Sequence, residues 1–221
     1  MNRRSIIAAL AIIFLAELPT SADPGRLAIA GRAGTLGLGG DVMINILPDL
    51  NLRLGVGAFD FDYDDEFSDV DYDFELDLLT FPITLDWYPF DDKFHISAGV
   101  VFNETDVSLD ATYSGTLDIG GTTYTAAEIG VLSGSLGFEN VAPYVGIGWG
   151  NAFGRSRRWG FVTDLGVAFT GSPDVALSAT GTLAGDSTFA ANLARERADL
   201  EEDIEDFKIY PVFSMNLYFR F

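Results

Sequence analysis

The chain has no cysteine, a single histidine (His95), and only 13 Lys and Arg against 33 Asp and Glu in 221 residues. The lack of cysteine excludes a disulfide scaffold, a thiol nucleophile and cysteine-ligated zinc. The shortage of basic residues, with a formal net charge of −20, excludes a nucleic-acid binder, which needs a basic face. No apolar run after residue 22 reaches the roughly 20 residues that a membrane helix needs. What is present in quantity is apolar surface: 48% of the chain is apolar, 13% is aromatic, and there are 18 Phe and 24 Gly. A disordered acidic chain is poor in aromatics, so disorder is excluded too. Much apolar surface and much charge in one chain imply that the two are held apart in space. The length suits one domain with a sizeable core, or one membrane barrel.

Residues 1–22 read as a secretory signal peptide. Arg3 and Arg4 supply the positive start, Ser5 to Leu15 the apolar centre, and Thr20, Ser21 and Ala22 the small residues before a cut after Ala22. The apolar centre is too short for a membrane anchor. Residues 23–221 are then one β-barrel domain.

Period two dominates that domain, and period two is the signature of strands. Phe213, Met215, Leu217, Phe219 and Phe221 share a face, opposite Ser214, Asn216, Tyr218 and Arg220. Phe94, Ile96, Ala98, Val100 and Phe102 alternate with His95, Ser97, Gly99 and Val101. The same pattern runs through residues 35–46, 51–58, 141–149 and 159–169. In residues 74–87 the apolar positions change from even (Phe74, Leu76, Leu78) to odd (Leu79, Phe81, Ile83, Leu85, Trp87). A β-bulge near Leu78 and Leu79 would account for the change, since one extra residue flips the faces. A weaker strand at residues 26–33 brings the expected number to eight, because single-chain outer-membrane barrels have even strand numbers.

The polar face decides between a soluble and a membrane barrel. It mixes Gly and Ala with Arg32, Asp41, Arg53, Glu75, Asp77, Asp86, Asp164 and Arg220. Such charges are costly in a dry soluble core but can pair with one another inside a membrane barrel whose apolar residues face lipid. Aromatics gather at strand ends, as interfacial girdles do. The expected fold is therefore all-β, an eight-stranded antiparallel transmembrane β-barrel with one extracellular-loop helix. Short connections at 47–50, 91–93 and 154–158 are expected in the periplasm, and long ones at about 60–73, 106–140 and 171–207 outside, with both termini of the barrel periplasmic. Localisation in the cell outer membrane follows.

The signal peptide, the alternating strands and the ending Met215-Asn216-Leu217-Tyr218-Phe219-Arg220-Phe221 resemble small Gram-negative outer-membrane barrels of the OmpA-transmembrane-domain, OmpX and OmpW kind. In that class Leu217, Phe219 and Phe221 would form the signal read by the barrel-assembly machinery. The resemblance covers essentially the whole mature chain. It also implies contact with outer-membrane lipid and lipopolysaccharide, and a monomer.

Three features bear on chemistry. Asp60, Asp62, Asp64, Asp65, Glu66, Asp69, Asp71 and Asp73 form an acidic run with interleaved aromatics, which argues for an ordered hairpin. Its start resembles a calcium loop, but it lacks the Gly and Glu of an EF-hand. Weak divalent-cation binding by Asp60, Asp62, Asp64, Asp65, Glu66 and Asp69 is the remaining metal expectation. Residues 187–207 form the one helix candidate, with Phe189, Leu193, Leu200, Ile204 and Phe207 at helical steps and Ser187 or Thr188 as its cap. Residues 112–125 hold Gly120-Gly121 between alternating stretches, a hairpin signal. His95 lies beside a periplasmic turn and faces the interior with Ser97, away from outer-leaflet lipid, so hydrogen bonding is expected of it in place of catalysis. No catalytic set and no cofactor is expected. The functional expectation is a non-enzymatic outer-membrane protein with acidic extracellular loops and a structural or surface-interaction role. The alternatives are a small cation-preferring porin and, more remotely, a lipid-modifying enzyme.

Overall fold

A computed structural model describes residues 26–67, 70–90, 93–154 and 158–221, so the signal-peptide segment lies outside the described residues. Twelve strands and two helices occur among them. In chain order they are β1 (Leu27–Gly34), β2 (Leu38–Leu47), β3 (Leu50–Phe67), β4 (Val70–Trp87), β5 (Phe94–Tyr113), β6 (Thr116–Ile119), β7 (Thr122–Thr125), α1 (Ala126–Ile129), β8 (Val131–Gly137), β9 (Val141–Trp149), β10 (Trp159–Phe169), β11 (Asp174–Ala179), α2 (Ser187–Ile204) and β12 (Ile209–Arg220).

The antiparallel pairs β1–β2, β2–β3, β3–β4, β4–β5, β5–β9, β9–β10, β10–β12 and β12–β1 pass through eight strands and return to the first. The other strands belong to the long connections. β8 continues the line of β9 against β5, and β11 pairs with β8. β6 and β7 form a separate hairpin turned by Gly120 (φ 58°) and Gly121 (φ 81°), where positive φ favours glycine. The strand count thus exceeds the expected eight because the long connections fold into β-structure of their own.

The strands sort their side chains inside out. Phe81, Ile83, Leu85, Trp87, Ile96, Phe102, Ile147, Trp149, Trp159, Phe161, Leu165, Phe213, Met215 and Leu217 are exposed, whereas Arg32, Asp41, Arg53, Asp86, His95, Asp164 and Asn216 are buried. An apolar outside of this extent needs an apolar solvent around it.

The expected bulge near Leu78 and Leu79 is absent. Pairing of β4 keeps one register with β3 from Val70 to Trp87 and with β5 over the same span. The polarity of each face changes instead, at the level of Ala58, Leu79 and Glu104, which pair across the three strands. On one side of that line the outer face carries Phe81 and Phe102; on the other it carries the rows Asp60–Asp77–Asp106, Asp62–Glu75–Ser108 and Asp64–Asp73–Asp110. Continuous alternation from buried Arg53 places Phe59, Phe61 and Tyr63 on the inward face. The two faces of the sheet exchange polarity here without an extra residue.

Beyond that line the sheet β3–β4–β5–β8–β11 stands as a wall. On its inner side Ile119, Tyr124, Ile129 and Phe189 form a small core, joined by Leu132 of β8 and Ala179 of β11. Residues 60–73, expected as a long connection, are mostly strand, as their aromatic interleaving suggests. α2 coincides with the expected helix over Ser187–Ile204, but its cap is Asp186, whose side chain accepts from the Thr188 and Phe189 amides, and neither Ser187 nor Thr188 serves. α1 has no counterpart in the sequence pattern; a Thr125–Glu128 capping box holds its single turn, and the two Thr125 donors keep the Glu128 carboxyl below the usual carboxylate range.

Candidate functional site

The interior of the barrel is layered. At one end Leu36, Val101, Ala142, Tyr144, Ala168 and Val212 pack into an apolar cluster. At the other, Ala28, Ala30, Met43, Ala152, Val162 and Tyr218 form a second. Buried charges lie between them.

Asp164 on β10 is the hub of that middle layer. It accepts Arg53 Nη1 at 2.6 Å and Nη2 at 2.9 Å, Ser214 Oγ at 2.9 Å and Asn216 Nδ2 at 3.1 Å. His95 Nε2 lies 2.9 Å from its Oδ1. Arg53 turns its Nε and Nη2 to Asp86 Oδ2 at 3.0 and 2.6 Å, and Ser97 Oγ donates to Asp86 Oδ1 at 2.7 Å. One guanidinium thus ties β4 to β10, which are not neighbours in the sheet. Planar, five-donor arginine suits this fork geometry, and lysine would not. Arg32 pairs with Asp41 at 2.8 Å on the adjacent strand. Among the described residues, Arg32 Nε and Nη2 and Asp41 Oδ2 find no hydrogen-bond partner. A cavity of about 30 Å³ adjoins Arg32, Arg53, Thr84 and Tyr144, and that is room for water beside the Arg32 guanidinium.

Glycines make the layer possible. A Cβ at Gly55 or Gly57 would run into the Arg32 guanidinium, one at Gly148 into the His95 ring, and one at Gly146 or Gly166 into Tyr144. Each bulky interior group therefore lies over a bare stretch of the facing strands. The abundance of glycine on the polar face is the sequence trace of this packing.

The structure gathers Arg32, Asp41, Arg53, Asp86 and Asp164 in the interior, and leaves out three of the expected charges. Glu75 and Asp77 stand on the outer face of the wall beyond the polarity change; their expected inward placement depends on a bulge that does not exist. Arg220 is half-buried at the end of β12 and donates from Nη1 to the Gly154 carbonyl at 3.0 Å. The list of expected interior charges leaves out Asn51, Thr80, Thr84, Ser214 and Asn216, all buried polar residues, because it followed charge alone. Strand parity already sets Ser214 and Asn216 on the face opposite Phe213 and Met215. His95 is buried as a hydrogen-bonding group, and its neighbour Ser97 donates to Asp86, so the two do not form a nucleophile–base pair.

Of the expected cation ligands, Asp60, Asp62 and Asp64 are spaced along one face of β3, while the side chains of Asp65, Glu66 and Asp69 lie outside the described residues. Among the described residues no three Asp, Glu or His side chains converge as a metal-binding group. Leu217, Phe219 and Phe221 are half-exposed and share a face, with the last two rings in edge contact at 5.6 Å.

No family model matches the chain, and no curated protein matches it. Solved structures do. The fold is similar to that of Acinetobacter baumannii CarO, with a TM-score of 0.55 and 21% identity over 89% of this chain and 97% of that one. It is also similar to A. baumannii CarO2, with a TM-score of 0.58 and 20% identity over 88% and 98%. A major outer membrane protein from Thermus thermophilus aligns at a TM-score of 0.43 and 17% identity, over 88% of this chain and 98% of that one. What the two CarO structures share with this chain is a fold, that of a β-rich outer-membrane barrel protein.

Proposed function

We propose that this is an outer-membrane protein whose strands β1–β5, β9, β10 and β12 close an eight-stranded transmembrane barrel, and that its role is non-enzymatic, serving envelope structure or surface interaction. The observation that carries the reading is the pairing of an apolar outer face with an interior filled by ion pairs and flanked by two apolar clusters. Eight strands leave an interior only wide enough for side chains or one small ligand. The polarity line through Ala58, Leu79 and Glu104 marks the outer boundary of the lipid in this reading. The wall and its helix then stand outside the cell, and the opposite ends of the strand pairs β2–β3, β4–β5 and β9–β10 face the periplasm. The surrounding partners are outer-membrane lipid and lipopolysaccharide, the barrel-assembly machinery reads Leu217, Phe219 and Phe221, and the protein is a monomer.

Fractionation tests location: the mature protein is expected with outer membranes, with heat-modifiable migration on gels. Recovery from the soluble periplasm overturns the reading. Planar-bilayer recording then separates it from a porin, because a wide, steadily open channel requires a different interior.

A further inference from the structure

We propose that residues 59–64 of β3 form a docking edge for an extended peptide segment that alternates apolar and basic side chains, a proposal that rests on the extracellular placement of the wall. The ladder between β2 and β3 stops at the pair Leu38–Ala58, whereas the ladder between β3 and β4 continues to Phe67–Val70. Among the described residues, β3 is therefore the margin of the wall beyond Ala58. The opposite margin is treated differently: α2 covers β11, and the Val175 amide donates to Glu201 of that helix at 3.3 Å. An uncovered strand margin offers backbone donors and acceptors to another chain, and β-augmentation uses that offer.

The side chains say what kind of chain fits. On the inward face Phe59 and Phe61 stack at 6.5 Å between centroids and stay 44% and 45% exposed. On the outward face Asp60, Asp62 and Asp64 alternate with them and are exposed. A strand added here sets its own residues directly opposite, where apolar pairs and opposite charges stabilise and like charges destabilise. Lys or Arg facing the aspartates, with apolar side chains on Phe59 and Phe61, satisfies both faces at once. A second copy of β3 does not, because antiparallel self-pairing about Asp62 sets Asp60 against Asp64. The acidic face thus blocks self-association at an edge that would otherwise invite it.

The test uses the purified full-length protein folded in detergent micelles, so its outcome is separate from that of membrane fractionation. A short synthetic peptide alternating valine and lysine is the probe. It is compared with a twin alternating valine and glutamate, with a peptide of the same composition in blocks, and with a form N-methylated along one edge. Saturable binding of the alternating basic peptide alone is expected, with new hydrogen-exchange protection at residues 59–64. Asp62→Lys should weaken it about tenfold, since an opposite-charge pair becomes a like-charge one. Absence of binding overturns the proposal. So does equal binding of the blocked or N-methylated peptide, which is adsorption to negative charge without strand pairing, and so does protection confined to other segments.

Discussion

Arg53 and Asp164, 111 positions apart in the chain, meet inside the barrel in a two-pronged pair, Nη1 to Oδ2 at 2.6 Å and Nη2 to Oδ1 at 2.9 Å. The same guanidinium holds Asp86. A buried charge left without its partner is strongly penalised, whereas an intact pair contributes little net stability. The pair therefore matters most when it is broken.

Arg53→Ala leaves Asp86 and Asp164 buried without their guanidinium. A loss of about 3–5 kcal/mol is expected, read as a lower urea midpoint for loss of the heat-modifiable folded form. Unchanged unfolding would show that water reaches this layer freely.

The wild-type interior should not conduct steadily. Ion pairs fill its middle, and the clusters around Val101 and Val162 close its ends. Brief, small events in planar bilayers are compatible with this, and their selectivity should favour cations, because among the described interior residues the carboxylates of Asp41, Asp86 and Asp164 outnumber the guanidiniums of Arg32 and Arg53. Arg53→Ala should raise their frequency. Anion selectivity in the wild type would contradict the assigned lining.

Acid should tighten the outer hairpin. Asp64, facing Asp73 across the β3–β4 ladder above the polarity line, raises the Asp73 carboxyl above the ordinary carboxylate range, with Asp110 and Asp62 adding to the effect. A carboxyl raised in the folded state favours folding while it is protonated, and that contribution is lost as pH rises through its folded value. Protection of β3 and β4 amides, corrected for intrinsic exchange, should grow as pH falls from about 7 toward about 4. Asp73→Asn should reduce that dependence, and a wild type whose protection falls on acidification would refute it.

Asp186→Ala removes the N-cap of α2 and should cost its segment about 1 kcal/mol. The readout is hydrogen exchange along residues 187–204, with strands β1, β2 and β12 unaffected. Asn192 donates to Tyr124 Oη at 2.7 Å and Arg195 to the Gly120 carbonyl at 2.8 Å, so loosening should spread to the β6–β7 hairpin. Loss of the whole barrel on this change would mean that wall and barrel unfold as one unit.

The strand pattern of this protein was legible in its residues because period two follows directly from the geometry of an extended chain. Residues 94–102, 141–149 and 159–169 alternate in sequence, and each falls within a strand. The helix at 187–204 was equally legible from Phe189, Leu193, Leu200 and Ile204. Which face looks where was not. Phe59 and Leu52 belong to one strand, yet one turns inward and the other outward, because the surroundings change between them while the backbone does not. A sequence records only that the phase shifts, and a bulge and a change of solvent leave the same mark. Pairing across β3, β4 and β5 separates the two, and it moves Glu75 and Asp77 from the interior to the surface. Partnership within the interior was likewise decided by tertiary structure. Parity puts Arg53, Asp86 and Asp164 on polar faces, but only the curl of the sheet brings β4 and β10 within reach of one guanidinium.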